Sequence, residues 1–246
     1  MAIEGVDYSW ARPDPACLFR SGKRFAVRYC GPGSSGKRMT KAEVAHLVAA
    51  GLAVVSSAEG FARDPLLGYA KGQDHARSAM AEARAAGMPP SKPIYFAVDF
   101  DMVTSQRSVV QRYFEGIKSV IGLNRTGIYG GIRTINWAKG GGHAAWFWQT
   151  YAWSGGQWSP YCHLQQYRNG VRLCGGDVDL TRAVASNYGA WKPGVETTGE
   201  APPSPPDDQG AGPWDFTDII DDLGFEWVSL AGALNAHARA VDALRT

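Results

Sequence analysis

Residues 93–131 read PIYFAVDFDMVTSQRSVVQRYFEGIKSVIGLNRTGIYGG. A β-rich apolar run (93–99) is followed by a helical stretch (105–121) and then by a second short β-rich run (126–131). Strand, helix, strand over about 40 residues is the repeating unit of a parallel sheet with crossover helices. The unit recurs on both sides of this stretch. Upstream, β-rich runs at 3–9, 25–30 and 52–57 alternate with helical segments that include 40–50 and 68–86. Downstream, runs at 144–151, 163–167 and 178–180 continue the series. Thr40-Lys41-Ala42-Glu43 is a capping box that sets one helix start, and Gly51 and Gly87 stand where helices end. Eight runs over about 190 residues predict a compact (β/α)8 barrel of TIM type with degenerate late helices. An open, doubly wound sheet is the alternative.

The chain has 246 residues, 45% of them hydrophobic and 20% charged, which excludes wholesale disorder. A composition break follows Lys192. Residues 193–213 are rich in Pro, Gly, Thr, Ser and acids and read as an extended linker. Residues 214–246 are too few for a core of their own, yet Leu230, Ala233, Leu234, Ala238, Val241 and Leu244 recur at helical spacing. That segment reads as a short helical docking tail, seeking a protein partner or a second copy. The formal charge of +2 divides unevenly. Residues 1–193 hold 23 basic and 13 acidic residues, whereas 194–246 hold 2 and 10. A cationic barrel suits a polyanionic surface such as a cell wall, and the near-neutral total argues against a nucleic-acid binder.

Other classes are disfavoured by absent signals. No GxGxxG follows the first run and no GxxxxGK[ST] occurs. Gly31–Lys37 has its glycines at the wrong spacing, and Pro32 removes a donor N–H, so nucleotide binding is disfavoured. No GxSxG elbow supports acyl-transfer hydrolysis. Cys17, Cys30, Cys162 and Cys174 lack metal-ligand spacing, so neither a metal nor another cofactor is expected. Four buried thiols, or a disulfide between two of them, both fit. No apolar run is long enough to span a membrane. The first seven residues lack the basic and apolar regions of a secretory signal, which predicts synthesis in the cytoplasm without one.

In a barrel of this kind, reactive side chains gather at the C-terminal ends of the strands. Strand ends here supply Asp7, Arg28, Glu59, Asp99 with Asp101, Tyr129, Trp148 with Gln149, Gln166, and Asp179. Carboxylates after apolar β-runs lose hydration worth several kcal/mol unless paired or hydrogen-bonded, so their recurrence points to a site. Asp99 and Asp101 lie two apart, and period-2 alternation would aim both into the barrel mouth. Two neighbouring carboxylates cannot both ionise freely, so one becomes a general acid. That pairing, above an aromatic cleft, suits glycosidic bond cleavage. Structural alternatives stand beside these readings: Asp7 pairing with Arg28, Asp101 capping the following helix, and Asp177 and Asp179 bracing the closing loop. In a regular strand Trp148 and Gln149 cannot both face the mouth.

At these residues the chain resembles a known family. Gly5-Val6-Asp7-Tyr8, Phe25-Ala26-Val27-Arg28-Tyr29, Asp74-His75-Ala76, Gly127-Ile128-Tyr129-Gly130, Trp148-Gln149-Thr150 and Asp177-Val178-Asp179-Leu180 are similar, in order, to motifs of the glycoside-hydrolase-like TIM-barrel family. That family, once a domain of unknown function, occurs in actinobacterial and actinobacteriophage proteins. It is similar in turn to family 25 lysozymes, which cut the β-1,4 bond between N-acetylmuramic acid and N-acetylglucosamine.

The resemblance implies a barrel with a peptidoglycan site. In family 25 an Asp-x-Glu ends the fourth strand. The Glu is the general acid, and the Asp stabilises an intermediate formed by the substrate's own acetamido group. Asp99 matches that Asp, while Asp101 stands at the Glu position. The shorter side chain retracts the acid, and a displacement of ~1 Å can cost roughly 10²-fold in rate. Either Asp101 still serves as acid or Glu59 substitutes for it, and the resemblance favours Glu59, whose position in the glycoside-hydrolase-like family is also at a strand end. Asp7 and Asp179 are expected to orient the acid or bind sugar hydroxyls, with Tyr129 near the stabilising Asp. Arg28, Trp148, Gln149 and Gln166 complete the expected glycan-binding set. The implied role is a muramidase-like hydrolase acting at the bacterial cell wall, such as a phage lysin or virion-associated enzyme. The alternatives are a non-catalytic wall-binding or virion module with a degenerate site, and an intracellular glycan-processing enzyme.

Overall fold

Each β-rich run becomes a strand. β1 (Ile3–Asp7), β2 (Phe25–Tyr29), β3 (Ala53–Ala58), β4 (Ile94–Ala97), β5 (Thr126–Gly130), β6 (Trp146–Thr150), β7 (Leu164–Leu173) and β8 (Gly176–Ala183) close into a barrel in chain order. The structure is a computed structural model and describes residues 2–195. The docking tail, and the linker from residue 196 onward, lie outside the described residues. Helices α1 (Pro15–Arg20), α2 (Lys41–Ala49), α3 (Gly68–Ala85), α4 (Arg107–Ile121) and α5 (Ile132–Gly140) fill the first five crossings.

The all-parallel expectation fails at the last strand. β1 to β7 pair in parallel, but β8 runs antiparallel to both β7 and β1. The cause is local. Leu173 pairs with Gly176, leaving Cys174 and Gly175 as a two-residue turn with φ of 52° and 83°. A hairpin turn with both central residues left-handed matches the twist of its strands. So short a connection cannot make the crossover that a parallel neighbour needs. Cys174 is also tied to Cys17 in the first turn of α1 by a disulfide across 157 positions, while Cys30 and Cys162 are buried free thiols.

Strand alternation sorts the core into two layers. Phe25, Val27, Val55, Tyr95, Trp146, Trp148 and Leu164 fill the barrel interior. Their neighbours Ala26, Val54, Ile94, Phe96 and Phe147 face outward onto Leu47, Ala79, Phe114 and Ile135 of the helices. Gly5 leaves room for the Phe25 ring, against which any Cβ there would collide. α3 and α4 cross in backbone contact. A Cβ on Gly72 would strike the Tyr113 carbonyl, and one on Gly116 the Tyr69 carbonyl.

Candidate active site

The parity that sorts the core also decides which side chains reach the mouth. Inward positions on β2 are Phe25, Val27 and Tyr29. On β4 the inward residues are Tyr95 and Ala97, and Asp99 follows in the same sense. Above this interior lies a cleft of about 270 Å³. Its lining comprises Ser9, Tyr29, Lys37, Ser57, Glu59, Ala97, Asp99, Tyr129, Trp148, Gln166, Asn169 and Asp179.

Two carboxyl groupings stand in and beneath it. Glu59 and Asp99 share a side-chain hydrogen bond, and Lys37 Nζ lies 3.1 Å from Glu59 Oε2. Burial raises the Glu59 carboxyl, Lys37 opposes, and Asp99 adds to the rise. Burial also raises Asp99, against the Glu59 hydrogen bond and Lys37. Both carboxyls are thus raised, burial being the main cause in each, and the pair holds a proton more tightly than two ordinary acids would. The second grouping is a buried chain. Tyr129 Oη donates to Gln166 Oε1 at 2.8 Å, and Gln166 Nε2 donates to Asp7 Oδ1 at 2.9 Å and Asp179 Oδ2 at 3.3 Å. Thr181 Oγ1 donates to the other Asp7 oxygen at 2.7 Å, and the Gly170 N–H donates to Asp179 at 2.8 Å.

Burial, then the Asp179 charge, pushes Asp7 up to about 7 against Thr181, Gln166 and Arg28. Burial raises Asp179 as well, with Gly170 opposing and Asp99 adding. All four carboxyl groups hold protons more tightly than ordinary acids, and Lys37 opposes the rise at Glu59 and Asp99. Among the described residues, no group of three or more His, Cys, Asp or Glu is placed to hold a metal ion.

Three expected site residues lie elsewhere. β4 ends at Ala97, so strand alternation no longer carries Asp101 inward. It sits outside the cleft, bound through both oxygens to Arg133 at 2.6 Å. Arg28 has the outward parity of β2. It is fully buried, with Nε 2.7 Å from Glu43 Oε1, further bonds to the Tyr8 and Lys37 carbonyls, and its guanidinium over the Tyr8 ring. It braces the loop that carries Lys37. The capping box is thereby half used: Thr40 caps the Glu43 N–H at 3.1 Å, while the Glu43 carboxylate turns to Arg28. Gln149 points away from Trp148, as alternation requires. It binds Ser154 Oγ, the Gln157 carbonyl and the Ser159 N–H behind the barrel wall. Trp148 itself lines the cleft, tilted by 59° against Tyr129 with ring centroids 4.5 Å apart, and its buried indole N–H has no partner among the described residues.

The cleft also contains residues that the strand-end reading passed over. Tyr29 was legible from parity: once Phe25 and Val27 are assigned inward, Tyr29 follows and Arg28 does not. Lys37 carries no such signal, because it arrives on the glycine-rich loop after β2. Asn169 arrives through the irregular register of β7, whose pairing with β8 shifts between Gln166 and Val171.

The chain has relatives among known proteins. Rv2525c of Mycobacterium tuberculosis (strain ATCC 25618 / H37Rv), by name a candidate peptidoglycan hydrolase, is 34% identical over 200 residues, or 76% of this chain and 82% of that one. The crystal structure of that Tat-secreted protein with L-tartrate aligns with a TM-score of 0.72 at 30% identity, covering 76% of this chain and 98% of the other. The barrel also superposes on a lysozyme from Streptomyces coelicolor, with a TM-score of 0.50, 17% identity, and 76% and 94% of the two chains covered. The autolysin LytC from Streptococcus pneumoniae, solved with a synthetic peptidoglycan ligand, gives 0.56 at 14% identity, over 74% of this chain and 46% of LytC. The last two likenesses speak for the fold alone. A family profile described as Rv2525c-like, glycoside hydrolase-like domain matches residues 16–184. The chain belongs to the Rv2525c-like family of glycoside hydrolase-like domains.

Proposed function

We propose that this protein is a peptidoglycan-directed glycoside hydrolase of the muramidase type, working at the bacterial cell wall. The observation that carries this reading is the Glu59–Asp99 pair, two neighbouring carboxyl groups of raised proton affinity in the barrel mouth beside Lys37. A protonated Glu59 is a general acid for the leaving glycosidic oxygen. Hydrolysis by two protein carboxylates keeps them about 5 Å or more apart, to admit a sugar carbon or a water between them. Glu59 and Asp99 share one cleft and perturb each other's protons, which favours a substrate that supplies its own nucleophile, such as the acetamido oxygen of an N-acetylated sugar. Asp99 would then stabilise the positively charged intermediate. Trp148 and Tyr129 offer an aromatic floor to the sugar, and Asp179 and Gln166 offer polar partners to its hydroxyls.

The relatives support the substrate class. Rv2525c, 34% identical to this chain, is a candidate peptidoglycan hydrolase by name. The Cys17–Cys174 disulfide suits the oxidising exterior, and Rv2525c is Tat-secreted. Among the described residues no helix is long and apolar enough to cross a membrane.

The test is release of reducing ends from purified peptidoglycan. Glu59→Gln and Asp99→Asn are each expected to lower the rate by about 10²- to 10⁴-fold. Asp101→Asn, outside the cleft, is expected to stay within about twofold of wild type. Wild-type protein that pellets with the wall but releases nothing would overturn catalysis in favour of a binding module.

A further inference from the structure

Behind the cleft lies a buried polar network that the proposed chemistry does not use. His75 on α3, Tyr113 on α4 and Asp64 in the β3–α3 connection are 5%, 1% and 9% exposed. His75 Nδ1 lies 2.8 Å from Tyr113 Oη, and Nε2 lies 3.3 Å from Asp64 Oδ2. The same Asp64 oxygen accepts the Phe61 N–H at 2.9 Å. An ionised Asp64 only accepts, so Nε2 carries the ring proton and Nδ1 accepts from the Tyr113 hydroxyl. The chain of bonds therefore runs from α4 through α3 to the backbone two residues beyond Glu59.

The contact with that backbone is close. A Cβ added to Gly60 would collide with Asp64 Oδ2 and come within 3.2 Å of His75 Cε1 and 3.4 Å of Nε2. The Phe61 side chain, 80% exposed, contributes nothing to holding the loop. Residues 59–61 are held by Lys37 on Glu59 and by two bonds with Asp64, its N–H donating to the Phe61 carbonyl at 2.9 Å and its carboxylate accepting the Phe61 N–H, and that carboxylate is oriented by His75. We propose that His75 is a positioning residue, fixing through Asp64 and the Phe61 N–H the loop that presents Glu59 to Lys37 and Asp99. The importance of Glu59 rests on the hydrolase reading above, but the mechanical link does not.

Charges around the two groups define the pH behaviour. Asp64, Lys71 and Asp74 face His75, and burial lowers its affinity for a second proton, so the ring is neutral at neutral pH. Lys37 and Asp99 face Glu59 from two other loops. Loosening the loop lets Glu59 swing from this buried niche toward water, and its raised carboxyl returns toward the ordinary range.

The experiment titrates the Glu59 side-chain carboxyl by carbon-13 NMR, with kcat and KM on peptidoglycan measured alongside. The proteins are wild type, His75→Phe, which keeps a ring but loses both nitrogens, and His75→Gln, whose amide N–H still reaches Asp64. In His75→Phe the Glu59 midpoint is expected to fall by about half a unit or more. In the same variant kcat should drop about 10-fold, with KM within about twofold. His75→Gln should restore most of both. An unchanged Glu59 midpoint in His75→Phe overturns the inference. So does a shift that His75→Gln fails to correct, because packing alone would then be its cause. Should His75→Phe not fold, His75→Leu, which also loses both ring nitrogens in a smaller side chain, carries the same criterion. Wild-type protein that leaves peptidoglycan uncut while the midpoint still moves overturns the hydrolase reading and leaves this inference standing.

Discussion

Asp7 shows how far burial reshapes a single residue. It is 2% exposed, faces Asp179 across the β1–β8 pair, and titrates at about 7. The unfolded chain releases that proton near the usual carboxylate value, so between about pH 4 and 7 the native state binds more protons than the unfolded one. Stability therefore falls as pH rises through this window, and raised values at Glu59, Asp99 and Asp179 add in the same direction. Asp7→Asn removes the ionisable group while leaving an acceptor for Thr181 or Gln166. Urea unfolding at a series of pH values should show a much flatter slope for this variant, and a gain of about 1–2 kcal/mol over wild type at pH 8. A slope equal to wild type would place the excess proton on another carboxyl. At this scale the candidate site was legible wherever alternation held. Asp7, Glu59, Asp99, Tyr129, Trp148, Gln166 and Asp179 gather in or directly beneath the mouth. Asp101 stayed out because the strand stops before it, and Arg28 and Gln149 because they sit one position off the inward parity.

Between elements, the α3–α4 crossing is the most constrained contact. Gly72 and Gly116 let the two backbones touch, and this crossing places His75 opposite Tyr113. The obstacle to a larger residue is a carbonyl in a helix, which cannot rotate aside as a side chain would. Gly72→Ala should therefore destabilise the protein by about 3 kcal/mol or more, at the upper end of overpacking, despite alanine's better helix propensity. Thermal unfolding measures this, and a variant within about 1 kcal/mol of wild type would mean that the helices separate without penalty. The crossing was invisible in the sequence, where Gly72 and Gly116 read as ordinary residues inside helical stretches. The elements themselves were legible because each β-run is short, apolar and followed by a polar break. The direction of β8 was not. It depends on a Cys-Gly turn that lacks the usual Asn-Gly signature, and the partner of Cys174 lies 157 positions away, where spacing says nothing.

For the whole molecule, charge distribution matters more than total charge. The described residues carry 23 basic and 13 acidic side chains, and the remaining acids lie beyond them in the sequence. Several of the described cations are already neutralised: Arg28 by Glu43, Arg38 by Glu82 and Arg133 by Asp101. A positive excess remains on the barrel, and a wall polymer bearing carboxylates or phosphates meets it as a polyanion. Attraction of this kind is screened, since the Debye length shortens from ~10 Å at 0.1 M salt to ~3 Å at 1 M. A protein of net charge +2 acting as a uniform body would show little salt dependence, whereas a cationic barrel would show a steep one. The 246-residue Glu59→Gln protein, which should bind the wall without cutting it, can be pelleted with purified sacculi over about 0.05 to 1 M sodium chloride. The bound fraction is expected to fall by about 10-fold or more across that range. Retention independent of salt would show that the wall is held by the cleft and its aromatic floor instead, and that the charge asymmetry serves some other contact.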